Sequence, residues 1–242
     1  MVSPFDLTGD VALVVGAASG GLGERAARTL ADSGATVVRA DLEPDAQGDL
    51  LHVDVTDEAS VQALVATVLA RHGRMDVLVN AAGVMLRKAY DETTVAEFEH
   101  VVRVNLTGSW LLAREVAPAL GDAGRIVNLS TVYAERVGPI PESAYYASKA
   151  GVANVTRALA AELGPRGITV NCLAPGVFYP TKMTAALSAD PERLQWFCDR
   201  TMLGRLGDPD ADFAGPLLFL ASSASSYVTG QVLYVDGGWS AW

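Results

Sequence analysis

Val11-Ala-Leu-Val-Val15 runs directly into Gly16-Ala-Ala-Ser-Gly20-Gly21-Leu-Gly23, and a helix-period segment, Gly23–Asp32, follows. An apolar β-branched run without polar alternation reads as a strand buried on both faces. The glycines allow a tight strand-to-helix turn and let main-chain N–H groups reach an anion at the helix N-terminus, where the helix dipole favours negative charge. A strand, a glycine turn and a helix in that order open a βαβ unit, whose ligands bind outside the carboxyl ends of the strands.

The same rhythm continues outward. Further runs lie at Thr36–Ala40, Val77–Asn80, Arg125–Leu129, Thr169–Leu173 and Val232–Val235, and one more short strand precedes Asp54. Helix-period segments lie between them at Glu58–Arg71, Val95–Leu120, Tyr145–Leu163 and Ala211–Ala221, with Gly34, Gly73 and Gly164 placed as C-caps. Alternation of this kind predicts right-handed crossovers and a doubly wound α/β Rossmann fold of about seven parallel strands, with helices on both faces. No linker, repeat or low-complexity tract interrupts it, so 1–242 is expected to be one domain. The Pro- and aromatic-rich stretch Ala174–Gly207 is irregular, and its part from about 177 to 207 is expected to act as a substrate lid.

The composition fits. Half of the 242 residues are hydrophobic and 19% are charged, which excludes a disordered chain. Eighteen Lys and Arg against 28 Asp and Glu give a net charge of −10, so nucleic acid and anionic membrane surfaces are not expected partners. Cys172 and Cys198 belong to no metal or disulfide motif, and His52, His72 and His100 stand apart, so no metal is expected. With neither an apolar run of membrane-spanning length nor a leader at Met1–Asp6, a cytoplasmic protein is expected.

The nucleotide-binding signs follow chain order. The second strand ends in Ala40-Asp41-Leu42, 18 residues beyond Gly23, where a carboxylate accepts bonds from ribose hydroxyls and repels a 2′-phosphate. That points to NAD over NADP, although Arg39 lies beside it. Asp54-Val55 is placed to meet the adenine ring. Asn80-Ala81-Ala82-Gly83 ends the next strand with small residues against which a flat ligand lies.

Tyr145 and Lys149 stand at i and i+4, so on a helix they share one face. A phenol with an ordinary pKa of about 10 is a poor acid or base at neutral pH, and a neighbouring ammonium favours its ionised form.

Taken together, the chain from about Asp6 to Trp239 resembles the short-chain dehydrogenase/reductase family. The resemblance is carried by Gly16–Gly23, Asp54-Val55, Asn80-Ala-Ala-Gly83, Val104-Asn105-Leu, Ile126–Thr131, Tyr145-Tyr-Ala-Ser-Lys149, Pro175-Gly176 and Val235-Asp-Gly-Gly238. It implies NAD as cofactor and hydride exchange between a secondary alcohol and a ketone. Tyr145 would be the general acid/base, Thr131 would hold the substrate oxygen, Lys149 would bind the nicotinamide ribose and tune Tyr145, and Asn105 would keep a water-linked proton relay. The cofactor contacts it implies begin at the glycine turn, with Gly16, Ser19, Gly21, Leu22 and Gly23. They continue through Asp41, Leu42, Asp54, Val55, Asn80, Ala81 and Ala82 to Tyr145, Lys149, Pro175, Gly176, Val177 and Thr181. Tyr133 and Trp196 would line the substrate pocket with Thr131 and Tyr145.

Three departures from the family pattern stand out. Val15 replaces the usual Thr, removing a side-chain brace of the turn. The glycine spacing is one residue longer, leaving Gly20 or Gly21 as the middle glycine, with Gly21 favoured. Thr131 replaces the usual Ser, 14 residues before Tyr145, and Ser130 competes for its role. Two alternatives stay open: NADP-dependent ketoreduction or epimerisation with the same apparatus, and an NAD-binding regulatory protein without turnover. A homotetramer packed through Val95–Leu120 and Tyr145–Leu163 is the family expectation, with the small residues Ala147, Ala150, Gly151, Ala153 and Ala158 allowing close approach.

Overall fold

The computed structural model describes residues 3–43 and 49–241. Among these, seven strands form one parallel sheet: β1 (Val11–Val15), β2 (Thr36–Asp41), β3 (Leu50–His52), β4 (Met75–Asn80), β5 (Leu120–Leu129), β6 (Thr169–Pro175) and β7 (Val232–Val235). Their order is β3-β2-β1-β4-β5-β6-β7. The helices are α1 (Leu22–Asp32), α2 (Glu58–His72), α3 (Val95–Val102), α4 (Gly108–Val116), α5 (Ser143–Leu163), α6 (Pro191–Asp199) and α7 (Ala214–Ala221).

The apolar run that opened the reading divides between two cores. Val11, Leu13 and Val15 face one layer, with Val61, Leu64 and Val68 of α2, Leu112 and Val116 of α4 and Leu159 of α5. Ala12 and Val14 face the other, with Ala26 and Leu30 of α1 and Leu217 and Leu220 of α7. Each large side chain so buried contributes roughly 1.5–3 kcal/mol, which is why the strand tolerates no polar residue on either face. Burial on both faces holds for the central strands only. β7 is half-buried throughout because it is an edge strand, and β2 alternates from an exposed Thr36 because three-residue β3 covers only its second half.

Strand order reverses at β1, which lies between β2 and β4, so the crevice for a ligand opens where these strands end. The register keeps the ends level: Val15 lies beside Asn80, Asn80 beside Asn128, and Asn128 beside Cys172. Gly16 sits in this crevice at φ +82°, where a Cβ would stand 2.4 Å from the Ala82 nitrogen. A Cβ on Gly23 would stand 2.0 Å from the Gly16 carbonyl oxygen, so α1 meets β1 backbone to backbone.

Two expectations about helices need correction. The segment 95–120 is not one helix: α3 ends at Val102, Arg103–Thr107 forms a π turn, α4 follows, and a 3-10 turn, Ala117–Ala119, leads into β5 at Leu120. Pro118 has no N–H to continue α4, and the π turn carries the fully buried Asn105. Gly164 is right-handed and opens another 3-10 turn, so the left-handed stop after α5 is Gly167 at φ +74°. Gly34 and Gly73 do end their helices left-handed.

The glycine contacts set a stability test. Gly23→Ala is expected to lower unfolding free energy by roughly 1–3 kcal/mol in urea titration, through forced displacement of Gly16. Gly21→Ala, at φ −100° with its nearest neighbour 3.7 Å away, is expected to stay within about 0.5 kcal/mol of the parent. Equal stability of the two variants would remove the packing argument.

Candidate active site

The turn after β1 is braced without the threonine that Val15 replaces. Asp41 Oδ2 accepts the Ala18 N–H at 2.8 Å, and its Oδ1 accepts the Leu42 N–H at 2.8 Å. From the third position of α1, Glu24 reaches back to accept the Gly20 N–H at 2.8 Å, as the glutamate of a capping box does. Glu24 was not singled out from the sequence, although an acidic residue three places past the N-cap is a readable sign. Gly20 is left-handed at φ +85°, whereas Gly21, the favoured middle glycine, is an extended N-cap at φ −100°. Glycine conformation is thus required at Gly20. Ser19 is exposed and Leu22 packs on the rim of the core.

The other nucleotide-side residues fall into two groups. Leu42 is exposed beside Asp41, and Arg39 shares a recess with Glu24 and Arg28 against α1. Asp54 folds its carboxylate onto Thr56, accepting the N–H at 2.8 Å and the hydroxyl at 2.7 Å, and these bonds hold it below the usual carboxylate range. Val55 is buried against Gly108 of α4, where a Cβ would be 2.8 Å away. Asn80 is spent on structure: its amide donates to Ser109 Oγ at 2.7 Å and its carbonyl accepts the Ala82 N–H at 3.2 Å. Ala81 donates its N–H to the Val15 carbonyl at 2.8 Å, closing the crevice floor.

Tyr145 and Lys149 share the buried face of α5, exposed by 6% and 5%. Burial pushes the Tyr145 phenol well above its ordinary value and the Glu142 carboxylate adds to this; a hydrogen bond with the Thr131 hydroxyl and the Arg87 charge oppose it. Burial lowers the Lys149 ammonium to about 8. Its Nζ donates to the Leu129 carbonyl at 2.8 Å and stands 6.0 Å from the Tyr145 ring centroid. In this geometry the ammonium is turned to the sheet, and burial is the largest influence on the phenol.

The competing hydroxyls separate. Ser130 donates to the Lys149 carbonyl at 2.9 Å and is turned under α5. Thr131 faces Tyr145, and its oxygen also accepts the Tyr133 N–H at 3.4 Å. Asn105 clamps three segments: Nδ2 donates to the Val84 carbonyl and to Ser148 Oγ, each at 2.9 Å, and Oδ1 accepts the Val84 N–H at 2.8 Å. A Cβ on Gly83 would lie 3.2 Å from Asn105 Oδ1 and 3.3 Å from Lys149 Nζ, so these groups converge at one glycine.

The segment after β6 closes over this rim. Pro175 offers its carbonyl to Thr131 Oγ1 at 3.4 Å, and a Cβ on Gly176 would press on Asp236 at 2.8 Å. Val177 accepts the Gly207 N–H at 3.0 Å, and Lys182 donates its N–H to the Gly20 carbonyl at 2.7 Å. The Thr181 hydroxyl pairs with that of Thr184 at 2.8 Å, so it is engaged within its own turn. Tyr133 packs on Tyr146 and Trp239 with ring centroids 5.2 and 6.0 Å apart. Trp196 meets Trp239 at 5.9 Å, and the Arg200 guanidinium lies over both indoles. Trp239 and Tyr146 thus complete an aromatic wall of which the sequence reading named only Tyr133 and Trp196. Among the described residues, no group of three His, Cys, Asp or Glu could hold a metal ion, and no helix is long and apolar enough to cross a membrane.

A family model described as enoyl-(acyl carrier protein) reductase matches residues 16–240. The chain belongs to the short-chain dehydrogenase/reductase family. It is 41% identical to cis-4-hydroxycyclohexanecarboxylate dehydrogenase of Sinomonas cyclohexanicum, covering 96% of each chain. With (2S)-[(R)-hydroxy(phenyl)methyl]succinyl-CoA dehydrogenase subunit BbsD of Thauera aromatica it shares 39% identity, over 94% of this chain and 95% of the relative. A solved gluconate 5-dehydrogenase from Burkholderia cenocepacia J2315, in complex with NADP and tartrate, superposes with a TM-score of 0.89 at 34% identity, covering 99% of this chain and 98% of that one. The family is one of oxidoreductases.

The two hydroxyls have different expected effects on turnover. Thr131→Val is expected to lower kcat by about 10²-fold through loss of a bond at the reacting oxygen. Ser130→Ala, which only loosens the Lys149 carbonyl, is expected to cost less than about tenfold. The reverse ranking in steady-state assays would move the role to Ser130.

Proposed function

We propose that this chain interconverts a polar secondary alcohol and its ketone with NAD(H), with Tyr145 as general acid/base. The observation that carries the reading is the buried Tyr145 phenol beside Lys149 on one face of α5, with the buried Thr131 hydroxyl following β5, at the end of the sheet where the strand order reverses. The relatives' names describe secondary-alcohol chemistry on hydroxy acids, and this supports the substrate class.

The crevice fits a dinucleotide. Gly16 and Gly23 leave free the space that their Cβ atoms would fill, and the turn's N–H groups stand at the positive end of α1. Gly16, Ser19, Gly21, Leu22 and Gly23 would cradle the pyrophosphate. Asp41, Leu42, Asp54 and Val55 would meet the adenosine, with Asn80, Ala81 and Ala82 beside them. Pro175, Gly176, Val177 and Thr181 would border the nicotinamide end, next to Tyr145 and Lys149. When bound, the cofactor accepts or donates the hydride. NAD is favoured over the NADP held by the Burkholderia protein because the half-exposed Asp41 carboxylate places negative charge at the end of β2, where a 2′-phosphate would be repelled.

The protein's own part is positional and protonic. Thr131 holds the substrate oxygen against Tyr145, which donates its proton as the phenol to a forming alkoxide or, as the phenolate, takes one from an alcohol. Lys149, fixed by the Leu129 carbonyl, brings a cation to the ribose side, and Asn105 anchors the Gly83 crossing through which a water-linked relay runs. Tyr133 and Trp196 line the substrate wall. The chain acts as a single domain with 177–207 as its lid. A homotetramer would use the exposed Phe98 of α3 and Trp110 of α4, with Ala147, Ala150 and Ala158 on α5. Gly151 packs on Leu106 and Ala153 is buried, so neither faces a partner.

Two measurements test this. Tyr145→Phe is expected to lose about 10²–10⁴-fold in kcat while still binding NADH by fluorescence titration; retained turnover would overturn the acid/base assignment. NADH is expected to bind at least about fivefold more tightly than NADPH, since one charge repulsion of this kind is worth on the order of 1 kcal/mol or more. Equal or reversed affinities would return the preference to NADP.

A further inference from the structure

Glu142 is a carboxylate in a place that gives it no ordinary reason to be charged. It occupies the N-cap of α5, yet its side chain caps no backbone N–H of that helix. Its side chain is only 2% exposed, and its carboxylate is held by Arg87 Nε at 2.9 Å. Burial pushes this carboxyl up and Arg87 opposes. Arg87 comes from the segment after β4; its side chain is 45% exposed, and Nη2 also reaches the Met183 carbonyl at 3.4 Å. A buried carboxylate with a half-exposed partner is a costly arrangement for stability alone.

The pair lies where it acts on the reacting phenol. Glu142 precedes Tyr145 by three residues, so the two lie one helical turn apart. The groups facing Tyr145 are Glu142 at the N-cap of α5, Tyr146 and Lys149 from α5, Arg87 from the segment after β4, and Thr131 and Tyr133 from the turn after β5, and the apolar Val101 of α3 packs in the same cluster. Beside the Lys149 ammonium, which is turned to the Leu129 carbonyl, the charges that act on its proton are the carboxylate of the pair and its guanidinium, and these two pull in opposite directions. The carboxylate is dry whereas water screens the guanidinium, so the two influences do not cancel.

We propose that the Glu142–Arg87 ion pair is a positioning device that sets the pH at which Tyr145 exchanges its proton. Glu142 holds the proton on the phenol, Arg87 moderates that hold, and the Met183 carbonyl helps to fix Arg87. Neither residue touches the reacting atoms. The inference rests on Tyr145 being the acid/base.

The test compares the pH dependence of kcat/KM for alcohol oxidation in Glu142→Gln, Arg87→Gln, Arg87→Lys and the double Gln variant. Tyrosinate absorbance is titrated in parallel as the difference between each protein and its Tyr145→Phe counterpart. Glu142→Gln is expected to move the midpoint down by about one pH unit, and Arg87→Gln to move it up by a similar amount. Arg87→Lys should restore the parent midpoint, and the double variant should fall between the singles. Midpoints that stay put, or both singles moving in one direction, would overturn the inference and leave the pair a structural tie. Should Glu142→Gln fail to fold, Arg87→Gln tests the same pair from its half-exposed side, with an upward shift required. A Tyr145→Phe protein that keeps its turnover would instead overturn the acid/base reading itself, so the two failures are distinguishable.

Discussion

The site depends on three backbones meeting where no side chain fits. The turn after β1, the first turn of α1 and the end of β4 approach so closely that Gly16 would strike Ala82 and Gly23 would strike Gly16 if either carried a Cβ. Main-chain bonds close the same junction: Gly16 and Ala17 donate to the Ala40 carbonyl, and Ala81 donates to that of Val15. Asp41 adds a side chain to this lock by taking the Ala18 N–H. Three strand ends are thereby fixed relative to one another, and the crevice between them inherits their rigidity. A residue read from the sequence as a ribose contact is thus also part of the frame.

Beneath the rim, buried polar pins set the seat of α4 and α5 on the sheet. Asn80 ties β4 to Ser109 of α4, Asn128 ties β5 to Thr156 of α5 at 3.0 Å, and Ser130 ties the end of β5 to the Lys149 carbonyl. Asn105 joins the π turn to Val84 and to Ser148. Buried groups of this kind are tolerable only when satisfied, so a helix slid by one turn would strand several at once. Apolar packing alone would permit such slips; the polar pins select the one seating that brings Tyr145 onto Thr131. The π turn belongs to the same logic, because its extra residue places the Asn105 amide between β4 and α5 and leaves its carbonyl to Ser109 Oγ at 2.5 Å.

Much of this was legible in the sequence because strand burial and glycine turns leave local signs. The uniformly apolar run at Val11–Val15 and the order of motifs up to Val235 specify a doubly wound sheet, and the i, i+4 spacing of Tyr145 and Lys149 places them on one face. Other features leave no local sign. The hydrophobic period passes through 103–107 undisturbed, so a helix interrupted at Asn105 reads as continuous. Gly20 and Gly21 are equivalent as letters, and only φ separates the one that needs glycine from the one that caps α1. Ser130 and Thr131 differ by which side of β5 they leave, a matter of register. Glu142 and Arg87 are 55 residues apart, and a contact at that separation belongs to topology alone.

Protonation then links the frame to the chemistry. Dry packing raises the Tyr145 phenol and lowers the Lys149 ammonium toward 8, because burial disfavours whichever form is charged. Through the neutral range the phenol therefore keeps its proton, the form that can protonate an alkoxide as a ketone is reduced. Running the proposed reaction toward the ketone would require the phenolate, whose population grows as pH rises. The same close packing that orders Tyr145 and Lys149 on one face of α5 sets the proton affinities of both, so positional order and proton affinity are not independent variables in this site.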